Sequence, residues 1–161
     1  MRRSMMMLMG VIALLLAGCG PNGTGTNSTP SSSGLVVVST DHATYTPNDA
    51  MAVIVHNTLS TPIYAMDTLS SCSILTLQYQ VSGAWQASQV AQCPLKRPAR
   101  LIKIDAGATY TATITAGYPG LKALAFPVGS YRLMLLYTTS SNAFPTAANG
   151  TIVTSATIQV Q

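Results

Sequence analysis

From residue 35 onward, apolar and polar residues alternate over short segments that are separated by Gly, Pro, Asn and Ser. In the segment AMAVIVHN, Met51, Val53 and Val55 fall on one side of an extended chain and His56 falls on the other. Successive side chains of a β-strand point to opposite faces of a sheet. The segment is therefore predicted to be a strand that directs Met51 to the core and His56 away from it.

The segment ILTLQYQVSGAWQ predicts a β-hairpin. Apolar residues alternate with Thr and Gln up to Val81, and Ser82 and Gly83 then supply a two-residue turn before Trp85. Further strands are predicted at residues 35–39, 61–66, 101–104, 108–115, 130–138 and 151–160.

Short, evenly spaced strands with few helix-forming residues between them indicate an all-β domain. We expect about seven to nine strands in two packed antiparallel sheets, a β-sandwich, with a single closed sheet as the alternative.

The first residues have the layout of a secretory signal. Arg2 and Arg3 precede an apolar run over residues 5–17, and small residues stand directly before Cys19. A run of about a dozen apolar residues is shorter than the roughly 20 that a membrane-spanning helix needs. We therefore expect residues 1–18 to be a signal peptide that is removed.

The residues LAGC, which end at Cys19, resemble the lipobox of bacterial lipoproteins. That resemblance implies a diacylglycerol on the Cys19 sulfur, often with a third acyl chain such as palmitate on its amine. Two or more chains, at about 0.8 kcal/mol per buried methylene, anchor a protein firmly. The expected location is the bacterial envelope, on a membrane and outside the cytoplasm; an ordinary cleaved signal with an incidental cysteine is the alternative.

Three cysteines in an exported chain leave one without a partner. If Cys19 carries lipid, Cys72 and Cys93 remain, and a disulfide between them is the natural interpretation. Metal binding by this pair is less favoured, because neither cysteine lies in a Cys-x-x-Cys motif or near a histidine in sequence.

Residues 20–34, GPNGTGTNSTPSSSG, contain no aliphatic or aromatic side chain. Such a segment cannot bury enough surface to offset the entropy of ordering. We therefore expect a lipidated flexible linker over residues 19–34 and one folded domain over residues 35–161.

The charge balance argues against a nucleic-acid partner. Without Arg2 and Arg3, the eight lysines and arginines fall to six, against four aspartates and no glutamate. A net charge near +2 gives little support to nucleic-acid binding.

The densest charge lies in CPLKRPARLIK, which carries Lys96, Arg97, Arg100 and Lys103. Most such runs are solvated, and cations also protect edge strands from pairing with other chains. The functional alternative is contact with anionic lipid headgroups or an acidic wall polymer.

Catalysis finds little support in the sequence. All four aspartates lie at predicted strand ends or turns, where aspartate is common, and no Gly-x-Ser-x-Gly or other nucleophile motif is present. We therefore predict neither enzymatic activity nor a cofactor. An enzyme would require an arrangement that only the fold assembles, such as His56 beside an aspartate.

Copper is the metal to consider, because His42, Met51, His56 and Met66 are residue types that bind it. The alternation separates Met51 from His56, and no Cys-His-Met cluster is present, so no metal site is predicted.

The segments YTPNDAMAVIVHN, SCSILTLQYQVSGAWQ, CP, IDAGATYTATI and VGSYRLMLLY, in this order, resemble immunoglobulin-like sandwich domains of bacterial surface lipoproteins. The resemblance implies an immunoglobulin-like β-sandwich with Trp85 in the core. It also implies a tyrosine corner, in which the Tyr131 hydroxyl returns to upstream backbone. Ala106 and Gly107 stand where these domains usually carry a Pro-Gly turn.

The sequence thus predicts a noncatalytic, lipid-anchored envelope module that binds an envelope protein or an anionic polymer. The alternative is a protein-binding inhibitor or accessory domain, similar to proteinase-inhibitor sandwiches, whose loop at residues 94–100 enters a protease cleft. An uncharacterised enzyme is the third possibility. Tyr118 and Phe144, in predicted loops, either cap the core or form a binding rim.

Overall fold

The structure, a computed structural model, describes residues 34–67, 73–88, 98–117 and 125–161. Within these ranges the chain forms eleven β-strands and no helix. The strands are β1 (Val36–Thr40), β2 (Thr44–Tyr45), β3 (Met51–Asn57), β4 (Ile63–Asp67), β5 (Leu75–Val81), β6 (Ala84–Ala87), β7 (Arg100–Ile104), β8 (Thr109–Ile114), β9 (Gly129–Thr138), β10 (Thr151–Thr154) and β11 (Ile158–Val160). The predicted all-β class is confirmed. Over these same ranges, no helix is long and apolar enough to span a membrane.

The small sheet has the order β1-β3-β8, with both outer strands antiparallel to β3. Met51, Val53 and Val55 are buried along one face of β3, while the residues between them are exposed. The alternation read from the sequence therefore gives the correct inner face of this strand.

The large sheet is built around the ten-residue strand β9. On one edge β9 pairs with β10 and β11, and on the other it pairs with β5 and β4. Strand β6 extends the sheet beyond β5, β7 extends it beyond β4, and β2 pairs with β11. The β2–β11 pair is parallel, whereas the sequence predicted antiparallel sheets only.

The inner faces of the two sheets share one apolar core, which makes the fold a β-sandwich. Val53 from the small sheet and Leu133 from the large sheet are both fully buried in it, and Phe126 closes the core from the loop before β9. All the described residues belong to one compact unit.

The predicted strand at residues 151–160 is two strands, β10 and β11, because a bulge interrupts it. Three residues lie between Thr154 and Ile158, opposite only two on β9 between Tyr131 and Met134. Within the bulge, Ser155 Oγ accepts a hydrogen bond from the N–H of Leu133 at 3.0 Å. The extra residue reverses the alternation, so that Ile158 faces the core. This split, together with the two-residue β2, raises the described strand count above the predicted seven to nine.

The predicted hairpin is present, with β5 and β6 joined by Ser82 and Gly83. Both turn residues have positive φ, 49° and 83°, as a type I′ turn requires. This turn sets Gln80 opposite Trp85 in the ladder.

The tyrosine corner implied by the resemblance is also present. The buried Tyr131 donates from its hydroxyl to the carbonyl oxygen of Pro127 at 2.8 Å, and its ring packs against Tyr79 at 4.9 Å. Burial, with a smaller contribution from Tyr79, raises the pKa of Tyr131 to about 12. The Tyr79 ring crosses Gly129 so closely that a Cβ there would lie 2.6 Å from Cε2.

Asn57 is fully buried at the end of β3 and connects the β3–β4 loop to the β7–β8 loop. Its Nδ2 lies 3.0–3.1 Å from the carbonyl oxygens of Thr61, Ile104 and Asp105, and its Oδ1 accepts from the N–H of Leu59. We call these five residues the Asn57 cluster. Because backbone groups take up the amide from both sides, the cluster fixes this end of the sandwich.

Candidate functional site

Several predicted site residues lie outside the described residues: Cys19, Cys72, Cys93, Lys96, Arg97 and Tyr118. The lipid attachment and the disulfide therefore stay predictions. The same holds for most of the loop at residues 94–100 and for the signal peptide.

The two described cations of the predicted anion-contact run each face a carboxylate of the chain. Arg100 Nε lies 3.0 Å from Oδ2 of the buried Asp67, which is its ladder partner on β4. Lys103 Nζ lies 2.6 Å from Asp105 Oδ1, and this hydrogen bond and the charge of Asp105 raise the pKa of Lys103. Since both positive charges are paired within the protein, they attract an external anion less strongly than free cations would.

Asp41 joins a histidine and a tyrosine near the start of the sandwich. Its Oδ1 accepts from the Tyr45 hydroxyl at 2.5 Å and from the N–H of Ala52, while Oδ2 lies 3.4 Å from His42 Nε2. The Tyr45 hydrogen bond is the main cause that lowers the pKa of Asp41, and burial is the main cause that raises the pKa of Tyr45. The hydroxyl of Thr40 donates to the carbonyl oxygen of His42, not to its ring. The contacts of this group therefore hold the chain turn before β2.

The residues considered for copper lie apart. Met51 is buried on the inner face of β3, and His56 is exposed on its outer face, between Val37 and Thr109. Met66 is half-buried on the outer face of the large sheet. No three His, Cys, Asp or Glu side chains in the described ranges form a group that could hold a metal ion.

Two aromatic residues lie at the surface. Phe144 is 52 % exposed, so it does not cap the core. The expectation that Trp85 lies in the core is wrong. As the ladder partner of Gln80, it shares the outer face of the large sheet and is half-buried there. The hairpin register, not hydrophobicity, decides which face this side chain occupies.

Trp85 contacts the guanidinium of an arginine on that outer face. Arg132 of β9 places its guanidinium carbon 4.5 Å from the centre of the Trp85 ring. Its Nε donates to Gln78 Oε1 at 2.7 Å, and Gln78 is its ladder partner on β5. We call Trp85, Arg132 and Gln78 the Arg132 network. The stacking and the hydrogen bond together fix the plane of the guanidinium.

The Arg132 network adjoins an apolar strip on the same face. Met134 and Leu136 follow Arg132 along β9 at every second position and are half-buried, and Ile152 is paired with Leu136 and is 55 % exposed. The outer face of the large sheet therefore combines a fixed cation, an aromatic ring and exposed apolar side chains, as protein recognition surfaces often do.

Sequence reasoning missed Arg132 as a site residue, although part of the signal was present. Arg132 stands between the inward-facing Tyr131 and Leu133, so alternation alone assigns it to the outer face. The contact with Trp85 depends on β5 lying between β9 and β6. That order of strands is a tertiary fact, and no local pattern in the sequence contains it.

A comparison of the chain with protein-family models and with curated proteins finds no match to either. The outer face of the large sheet is therefore interpreted from its own chemistry.

Proposed function

We propose that the protein is a noncatalytic, lipid-anchored binding module of the bacterial envelope, and that it recognises its partner through the outer face of the large sheet. The observation that carries the anchor is the LAGC motif ending at Cys19. The observation that supports binding is the Arg132 network, which holds a cation and an aromatic ring at the surface without a described carboxylate beside them.

The linker composition suits display of such a module. A Gly/Ser/Thr-rich segment of the length of residues 20–34 spans on the order of 20 Å. That reach lets the domain turn its binding face toward a partner next to the membrane.

The fold is proposed to be of the immunoglobulin-like type. The hydrogen bond from the Tyr131 hydroxyl to the carbonyl of Pro127 supports this assignment, because such domains carry a tyrosine corner of this kind. The contribution of strands from both sheets to one core agrees with it.

A disulfide between Cys72 and Cys93 is proposed as part of the same module. Cys72 lies six residues before Gln78, and Cys93 lies six residues after Ala87, the ladder partner of Gln78. The two cysteines thus flank the β5–β6 hairpin in sequence, so a bond between them would close a loop across that hairpin. The bond would contribute roughly 3 kcal/mol by closing a loop of about 20 residues.

The inhibitor alternative has no comparable support. It needs a presented loop at residues 94–100, and Arg100, at the end of that loop, is engaged with the buried Asp67.

The anchor is tested by following the chain and its Cys19→Ser variant in bacteria that receive a labelled fatty acid. We expect the unaltered chain to incorporate the label, to sediment with membranes and to gain acyl mass at Cys19. The serine variant should lose all three properties, while a Cys72→Ser, Cys93→Ser double variant should keep them. An unaltered chain without acyl mass would refute the anchor.

A further inference from the structure

Arg132 differs from the other described cations of the domain in having no carboxylate partner. Arg100 lies against Asp67, and Lys103 lies against Asp105. Within the described ranges, no carboxylate lies within salt-bridge distance of Arg132. Its positive charge is therefore available to an external anion.

The guanidinium also keeps most of its hydrogen-bonding capacity. Arginine carries five N–H donors, and in the described part of the protein only the Nε donor of Arg132 has a partner, Gln78. The two terminal nitrogens form the planar fork that matches two oxygens of one carboxylate. Stacking on Trp85 holds this fork in place before any ligand arrives, which lowers the entropic cost of binding.

The surroundings of the fork favour a hydroxyl-rich ligand. Gln80 faces outward beside Trp85, and Ser130 donates to Gln159 on the adjacent strand at 3.2 Å. These side chains are neutral and both donate and accept, so they suit sugar hydroxyls. On the side of Arg132 toward Gly129, the sheet therefore pairs one fixed positive charge with an aromatic surface and neutral hydrogen-bonding groups, while Met134 and the apolar strip lie on the other side.

We propose that the Arg132 network is a binding site for a carboxylate-bearing polysaccharide, in which Arg132 pairs with the sugar carboxylate and Trp85 and the neighbouring glutamines contact the sugar ring. This inference deepens the proposed binding function by naming the class of its partner. It is independent of the lipid anchor, because it depends only on the outer face of the large sheet.

The test measures binding of the full chain, purified in detergent, to polygalacturonate. Two control polymers accompany it: methyl-esterified polygalacturonate, which has the same sugar without the charge, and polyphosphate, which has the charge without the sugar. We expect binding to polygalacturonate to be at least tenfold tighter than to either control.

The decisive comparison is between Arg132→Gln and Lys103→Gln, which remove the same charge from the same face of the sheet. We expect Arg132→Gln to weaken binding to polygalacturonate by tenfold or more and Lys103→Gln to change it less than twofold. Arg132→Lys should also lose most of the binding, because lysine keeps the charge but lacks the fork. Thermal unfolding of each variant checks that the fold is retained. Gln78→Ala removes the hydrogen bond to Arg132 Nε and is a second variant in which the guanidinium is no longer fixed.

Equal losses in Arg132→Gln and Lys103→Gln would overturn the proposal, since they would indicate attraction by net charge alone. So would equal binding to polygalacturonate and its methyl ester, or tighter binding to polyphosphate. If the unaltered chain carries no acyl mass at Cys19 but binds polygalacturonate as expected, the lipid anchor is refuted and the binding site at Arg132 is supported.

Discussion

The Asn57 cluster and the Arg132 network are two polar groups that the fold uses in opposite ways. Asn57 is fully buried, and backbone groups of two loops and of the end of β7 hydrogen-bond to both the oxygen and the nitrogen of its amide. Arg132 is half-buried, is held by two side chains and keeps most of its donors free of described partners. A polar side chain whose donors and acceptors all have partners within the protein contributes to stability. An ordered side chain with unused hydrogen-bond donors is suited to binding.

The largest expected effect is that of Asn57→Ala. The change removes the amide from the Asn57 cluster and leaves one buried and three part-buried backbone groups without this partner, which should lower the free energy of unfolding by about 3 kcal/mol. Urea denaturation measures the loss. Asn142→Ala, at an exposed turn, is the control and should change stability by less than about 0.5 kcal/mol. A loss below about 1 kcal/mol for Asn57→Ala would show that the cluster is not a main structural contact.

The next effect is a fall in stability at alkaline pH that originates at Tyr131. Its pKa is raised to about 12 in the folded state, above the usual value near 10 of an unfolded chain. The protonated hydroxyl of Tyr131 therefore makes its full contribution to the free energy of unfolding below pH 10. That contribution is lost as pH rises from about 10 to 12, by up to about 2.5 kcal/mol. Denaturation across this range measures it.

Tyr131→Phe is the matched variant for the pH series. It should cost about 1 kcal/mol at neutral pH through the lost hydrogen bond to Pro127 and should flatten the alkaline fall. Tyr131 resembles Asn57 in that its polar atom is satisfied internally. An alkaline fall as steep in Tyr131→Phe as in the unaltered protein would assign the effect to another group, such as Tyr45, whose pKa is also raised.

A smaller effect separates two cations that look alike in sequence. Arg100→Gln removes a partner from the buried carboxylate of Asp67 and should cost about 1–2 kcal/mol. Lys103→Gln acts on an exposed pair and should leave the unfolding midpoint unchanged. Thermal unfolding of both variants at low salt provides the comparison, and equal destabilisation would argue against the structural role of Arg100.

The effect of Arg132→Gln on stability should be smaller than that of Arg100→Gln. Only one hydrogen bond and an accessible ring contact are lost, so the free energy of unfolding should fall by less than about 1 kcal/mol. Chemical denaturation measures this change. A loss above about 2 kcal/mol would place the Arg132 network with the Asn57 cluster, as a structural group.

Local sequence pattern predicts the strands and the hairpin well, because both depend on near neighbours. The alternation of β3 and the Ser82-Gly83 turn each require only a few consecutive residues. The bulge between β10 and β11 is different, since the extra residue is recognisable only when β9 lies beside it. The two-residue β2 is too short to carry a period of its own.

The candidate site could be predicted only in part. Sequence reasoning gave weight to the dense run of cations, yet the two described members of that run pair with Asp67 and Asp105. Arg132 was not predicted as a site residue, because no other charged residue lies near it in the sequence. Its environment is assembled from three strands. The resemblance to immunoglobulin-like domains implied a core position for Trp85, whereas the register of the hairpin turns this side chain outward.

Trp85 is the only tryptophan in the chain, and it lies on the outer face of the large sheet under the guanidinium of Arg132. The tryptophan fluorescence of this protein, excited selectively at the red edge, therefore reports on a surface and not on the interior. A molecule that displaces Arg132 from the indole would change the emission while the fold stays intact. The domain therefore carries an optical probe at its proposed binding site.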